Sequence, residues 1–363
     1  MHMTPRARYL CALGRGQPDC LPVTTMSWMH YHLRHYLDGM DILAAFRYFG
    51  MDACVDVVPL LRVDSPEWRV ETREDRDGDI VRTELTVTTP GGSLHYRTEA
   101  NPYTGWLTEP PIKELEQIHL IDKYWPAPRI DVARVIAARA ELGEDGVIQG
   151  LPGGWRQPGP WQDACEWVGT QRMIMEAHDH PDWVHELLEI LTRKSLETIE
   201  SMTGAPYDVM LTGGGAASST VISPKLHREY CLPYDRVIQN ALHTLGYKAS
   251  YHTCGGMMPI LELVAANGCD CMEPFAPAGM GGDADLTEAK RRVGARTCMK
   301  GGFDQYNVLE LGTPEEIRQS VHRAFAEAGA GGGFILCTSD HFYNVPVENL
   351  RAYTSAAQEC IYA

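Results

Sequence analysis

Two separated runs hold the residues best suited to chemistry in this 363-residue chain: Tyr251-His252-Thr253-Cys254-Gly255-Gly256 and, far downstream, Phe334-Ile335-Leu336-Cys337. On an extended strand, residues two apart project to the same side, so His252 and Cys254 can reach one ligand. Cys337 closes a second apolar run and can supply a third donor. Two thiolates and one imidazole form a soft set that suits zinc, and three protein ligands leave a fourth position for a substrate, as catalysis requires. Taken alone, the pattern leaves two readings standing, because histidine and cysteine are also often packed at strand ends with no ligand.

Four further residues belong to the candidate set. In Gly268-Cys269-Asp270-Cys271-Met272-Glu273-Pro274, the period of two puts Cys269, Cys271 and Glu273 on one face. We expect Glu273 as a fourth metal ligand that an incoming thiol displaces, and the two cysteines as core. Asp304, after Gly301-Gly302-Phe303, and the pair Asp340-His341, after Cys337, are candidates for acid or base duty. Their alternative role is a helix cap, or a hydrogen bond that orients a metal-bound histidine.

Such residues must be positioned by a framework, and the chain alternates short apolar runs with longer amphipathic stretches, the pattern of a parallel sheet with crossover helices. Eight runs are visible, near Leu21 to Thr25, Ala53 to Val58, Val147 to Gly150, Asp208 to Thr212, Lys248 to His252, Asp270 to Glu273, Thr297 to Lys300 and Gly333 to Cys337. Eight strands with following helices predict a closed (β/α)₈ barrel of the TIM type, a single domain over residues 1–363, with its chemistry at the carboxyl ends of the strands. Thr313-Pro314-Glu315-Glu316 reads as a capping box, Ser223-Pro224 as a second helix start, and Gly294 and Gly329 as helix ends. Between about residues 63 and 97 the period changes to two, around the turn-prone Arg76-Asp77-Gly78-Asp79, which predicts an antiparallel hairpin insertion.

The formal charge of −16 argues against a phosphate-binding surface, so no nucleic-acid partner is expected. No uninterrupted apolar stretch is long enough to span a bilayer and no secretory h-region is visible, which predicts a cytoplasmic protein without a membrane partner. The eleven cysteines are odd in number and dispersed, which reads as reduced thiols rather than a disulfide framework. Most of them, Cys11, Cys54, Cys165, Cys231, Cys298 and Cys360 included, are expected to be small buried hydrophobes.

Across nearly its whole length the sequence resembles the uroporphyrinogen decarboxylase superfamily, within it the branch of zinc- and corrinoid-dependent methyltransferases that includes methylcobalamin:coenzyme M methyltransferase. The resemblance lies in MTPRARYLCALGRGQPDCLPV, TTPGGSL, TEPPIKELEQI, the run from ISPKLHREY to CDCMEPF, RVGARTCMKGGFD, LGTPEEI and GGFILCTSD. The branch's signature, His-x-Cys followed much later by a lone Cys, falls on His252, Cys254 and Cys337. Two departures are plain. Where decarboxylases of this superfamily carry arginines that grip tetrapyrrole carboxylates, PVTTMSWMHYHLRHYLDG holds the single Arg34, and where relatives often present an acidic pair the chain has LTGGGAASST.

The resemblance implies zinc as cofactor and methyl transfer as reaction. Coordination to zinc deprotonates a thiol whose ordinary pKa is about 8.5, and the resulting thiolate takes a methyl group from a corrinoid. In the reverse direction, zinc acts on a methoxy or methylamino donor and the corrinoid removes the methyl group. No cobalt-binding loop is evident, so a separate corrinoid protein is the expected partner, beside a small-molecule methyl donor or acceptor. Trp28, Trp106, Trp155 and Trp161, with Tyr31 and Tyr103, are expected in rim loops as an apolar mouth or else as ordinary core. The competing expectations are a zinc-dependent lyase or hydrolase using Asp304, Asp340 and His341, a decarboxylase-like enzyme of the superfamily, and a non-catalytic barrel that binds a corrinoid or other ligand.

Overall fold

The computed structural model describes residues 2–61, 63, 65–153 and 157–362. Seven parallel strands form one curled sheet whose spatial order follows the chain: Ala53–Asp56, Gly146–Gly150, Val209–Gly213, Lys248–His252, Cys271–Glu273, Cys298–Phe303 and Phe334–Thr338. Helices such as Pro181–Ser201, Leu232–Thr244, Leu261–Ala266, Leu286–Val293 and Pro314–Ala328 connect successive strands, as parallel pairing demands. The architecture is an α/β fold consistent with a TIM-like barrel.

The first predicted run, Leu21 to Thr25, is extended but is not a regular strand. It lies between the two edges of the sheet: Val23 bridges Leu336 in parallel, and the Asp52 amide donates to the Val23 carbonyl at 2.8 Å. Its ladder is broken for a local reason. Pro22 has no N–H to give, the Leu21 amide turns to the Cys360 carbonyl, and the Val23 amide donates to the Asp52 carboxylate.

Side chains of the strands divide by the period of two. Met210, Tyr251, Met272, Met299 and Leu336 face the helices and join the main core, whereas Cys54, Val147, Val209, Cys271, Cys298 and Ile335 face inward. The inward set packs on Tyr9 and Leu13 of the helix Pro5–Leu13, which fills the end of the curled sheet where the strands begin. All eleven cysteines are free; Cys11 and Cys254 are partly exposed and the other nine are buried.

The expected helix signals are present at Thr313, whose side chain forms a capping box with Glu316, and at Ser223, whose hydroxyl accepts from the Leu226 amide. Gly294 and Gly329 stand at helix ends, but with φ of −60° and −72° they do not use the left-handed region open to glycine. The insertion is larger than the expected hairpin. Four antiparallel strands, Arg69–Asp77, Ile80–Thr89, Gly92–Ala100 and Gly105–Glu109, pair in chain order, and a short pair, Leu60–Leu61 with Arg129–Ile130, closes its base. The last strand was not foreseen because the turn-forming Asn101-Pro102-Tyr103-Thr104 precedes only five residues of weak alternation. Val87 and Leu94, direct cross-strand partners, are buried with Ile118 and Ile121 of the helix Ile118–Tyr124 and Trp161 and Trp167 of the helix Pro160–Val168. The outer strand, RVETREDRD, is exposed along its length, and its charges guard an open sheet edge. Among the described residues no helix is long and apolar enough to cross a membrane.

Candidate functional site

The carboxyl ends of four neighbouring strands converge on one buried polar cluster. His252 and Glu273 are direct register partners on adjacent strands, and their side chains meet at 3.3 Å, imidazole Nδ1 to Oε1. The other carboxylate oxygen, Oε2, accepts from Ser250 Oγ at 3.0 Å and lies 2.8 Å from Lys300 Nζ on the next strand. Burial works to raise the Glu273 carboxyl, but Lys300 and His252 override it and hold the group well below the usual carboxylate range. Lys300, also desolvated, is held charged by Glu273 in turn.

Cys254 lies two residues beyond the strand end and is partly exposed. Burial alone would raise its thiol; the neighbouring His252 reverses that and brings it below the ordinary thiol range. The same interaction, with Glu273 behind the ring, overcomes burial and raises the imidazole to about 10. Each member of the pair therefore favours the charged form of the other. The Nε2 atom of His252 is buried with no hydrogen-bond partner, which leaves one donor nitrogen of a fixed ring available. A glycine is needed alongside: a Cβ on Gly215 would stand 2.7 Å from Cys254 Sγ, and one on Gly213, at φ 81°, would stand 2.5 Å from the His252 carbonyl oxygen.

Cys337 is fully buried on its strand. Desolvation raises its thiol far above the ordinary range, although the charge of Lys300 opposes this. Among the described residues, no group of three or more His, Cys, Asp or Glu side chains is spaced to hold a metal ion as it stands. The chemistry of the donors nevertheless fits a soft metal: an imidazole nitrogen without a hydrogen-bond partner, a thiol already biased to its anion, and a second thiol on a strand of the same sheet. The position of Glu273 differs from the expected fourth ligand, since both its oxygens are engaged by His252, Ser250 and Lys300. Glu273 is thus a carboxylate that orients the imidazole of His252.

The remaining candidates separate. Asp304 caps the turn that follows its strand: its carboxylate accepts from the amides of Tyr306 and Asn307 and from the Asn307 side chain, so it is committed to structure. Asp340 is exposed, accepts from the His341 amide at 2.7 Å, and its charge acts on Cys254 across the mouth. His341 Nδ1 lies 2.6 Å from Ser27 Oγ. Of the aromatic residues, Trp28 and Trp161 are core, Trp106 is 39% exposed, and Trp155 lies outside the described residues. Tyr31, which lies in the helix His30–Tyr36 and not in a loop, meets Tyr103 with ring centroids 5.2 Å apart, and Tyr343 joins them.

Two charged residues of this site were missed in the sequence. Lys300 was counted as the end of an apolar run. Asp56 faces inward at its strand end, two positions beyond Cys54, where Gln149 Nε2 donates to it at 2.7 Å. It reaches solvent in the mouth, yet the surrounding protein desolvates its carboxyl enough to raise it, against the charge of Lys300. The signal for both is a lone charge inside a strand-like run, Ala-Cys-Val-Asp-Val-Val and Cys-Met-Lys-Gly.

A parallel α/β sheet curled around a polar site at its strand ends defines an enzyme class in which strand-end residues carry the chemistry. The chain belongs to the uroporphyrinogen decarboxylase family, whose family model matches residues 89–360. It is 26% identical, over 97% of its length and 96% of the relative's, to a uroporphyrinogen decarboxylase of Pseudoalteromonas translucida. It is 22% identical, over 98% of its length and 90% of the relative's, to a methylated-thiol--coenzyme M methyltransferase of Methanosarcina mazei. Among solved structures, a methyltransferase from Methanosarcina mazei superposes with a TM-score of 0.67 at 18% identity, over 99% of both chains, which supports the fold.

Proposed function

We propose that this protein is a zinc-dependent methyltransferase that moves a methyl group between a corrinoid, carried by a partner protein, and a small substrate such as a thiol. The observation that carries this reading is the Cys254–His252 pair: a thiol biased to its anion beside an oriented imidazole whose buried Nε2 has no partner. His252, Cys254 and Cys337 would hold the metal. When bound, zinc would supply the charge that keeps a substrate thiol deprotonated near neutral pH. Glu273 fixes the ring of His252 through Nδ1, and Lys300 keeps that carboxylate ionised. Within the family we read residues 21–25 as the eighth stave of a (β/α)₈ barrel, on the strength of their hydrogen bonds to both sheet edges.

The names of several relatives favour porphyrinogen decarboxylation as the second reading. A tetrapyrrole with many carboxylates needs cations at its site. Here the lysine that acts on Asp56, Glu273 and Cys337 is Lys300, already consumed by Glu273. One experiment separates the two. Zinc-loaded protein is assayed for demethylation of methylcobalamin by added thiols and, separately, for decarboxylation of uroporphyrinogen. Thiol-dependent loss of methylcobalamin that disappears in Cys254→Ala is the expected result; decarboxylation without methyl transfer would overturn the reading.

A further inference from the structure

The antiparallel insertion and the helix Pro160–Val168 border an open cavity of about 520 Å³ lined by Glu99, Trp106, Gln157, Gln162 and Glu166 among others. It borders the site directly. Gln157 Oε1 accepts from the Gly215 amide at 2.9 Å, and Gly215 is the residue on which a Cβ would touch Cys254 Sγ. A ligand resting in this cavity is therefore separated from the thiol by one glycine.

The lining holds one carboxylate without a cationic partner among the described residues, Glu166, which accepts from Gln162 Nε2 at 3.0 Å. Glu99 is shared with Arg82 at 3.2 Å. Trp106 contributes an indole that is 39% exposed. A carboxylate and a partly exposed indole lining one cavity favour an alkylammonium group, which takes Coulomb attraction from the first and cation–π attraction from the second. The mouth has the same polarity, since Asp56 and Asp340 face it and the charge of Lys300 is neutralised by Glu273.

We infer that the ligand presented to Cys254 carries a positive charge, and that an alkylammonium group is received in the cavity between Trp106 and Glu166. For the reaction served, this rests on the methyl-transfer reading; for the charge of the ligand it does not. The test has two arms. In the first, tetramethylammonium chloride is titrated into metal-free protein by calorimetry against sodium chloride at equal ionic strength. Saturable binding is expected, weakened about tenfold in Trp106→Leu and in Glu166→Gln. No saturable binding, or binding as tight in either variant as in wild type, overturns the inference.

In the second arm, zinc-loaded protein is titrated with cysteamine, 2-mercaptoethanol and 2-mercaptoethanesulfonate, thiols of equal length that end in a cation, a neutral group and an anion. The expected order of affinity is cysteamine first and the sulfonate last, with the preference for cysteamine reduced in Glu166→Gln. Sulfonate binding as tight as that of cysteamine overturns the inference. If tetramethylammonium binds as expected and no thiol does, the cationic site stands and the thiol-methyltransferase reading falls.

Discussion

Lys300 Nζ lies 2.8 Å from Glu273 Oε2 inside the curled sheet, and each side chain is only 3% exposed. Two charges buried this deeply are tolerated because each satisfies the other and because Ser250 and His252 complete the carboxylate's hydrogen bonds. Lys300→Met removes the cation from the buried Oε2 of Glu273 and leaves that oxygen with Ser250 alone, so urea unfolding of the metal-free protein should show a loss of about 3–5 kcal/mol. The double variant with Glu273→Gln should regain much of it. An equal loss in the single and double variants would show that packing, not the charge, is responsible.

Metal retention tests the proposed ligands against the cap. Cys254→Ala and Cys337→Ala should each purify without stoichiometric zinc under zinc-replete, reducing conditions. Asp304→Ala should keep its zinc and lose about 1 kcal/mol, the ordinary cost of a missing helix cap. Elemental analysis beside thermal unfolding reads both quantities, and full zinc in Cys337→Ala removes that residue from the ligand set.

Thiol reactivity in the metal-free protein follows from the same pair. Cys254 is biased to its thiolate by His252, whereas Cys11, the other partly exposed cysteine, is pushed up by burial. Iodoacetamide labelling followed by peptide mapping should therefore modify Cys254 first and at lower pH. His252→Ala should move the labelling midpoint of Cys254 upward. Gly215→Ala should slow its labelling, since the added methyl group would stand 2.7 Å from the sulfur. Faster labelling of Cys11 than of Cys254 would falsify the assigned bias.

A buried acid behind the site sets a pH dependence of stability. Tyr251 OH donates to Asp235 Oδ2 at 2.8 Å, and burial, opposed by that bond, raises the carboxyl from 3.8 to about 7. Between about pH 4 and pH 7 the folded protein then holds a proton that the unfolded chain has released. Stability from this residue is therefore greatest at the acid end of the window and falls as pH rises through it. Asp235→Asn removes that slope, so relative to wild type the variant should gain on the order of 2–4 kcal/mol from pH 4 to pH 7. Parallel unfolding curves for the two proteins across that window would contradict the raised value.

The sequence alone determined the seven regular strands to within two or three residues, because strands buried on both faces are continuous apolar runs, and it located the capped helices through side chains bonding to their own backbone. His252, Cys254 and Cys337 stand out as candidates for the same reason, as polar residues at or just beyond the ends of such runs. The irregularity at Pro22 and Val23 was decided by tertiary contacts, since the Asp52 carboxylate and the Cys360 carbonyl take amides that a strand would have used. Likewise, a carboxylate at a strand end can bind a metal, cap a helix or hold a histidine. Only the folded neighbours assign Glu273 to His252 and Lys300 and commit Asp304 to the Tyr306 and Asn307 amides. Spacing along one strand fixes which side a residue faces. What it meets there depends on strands distant in sequence, and that is settled when the sheet curls.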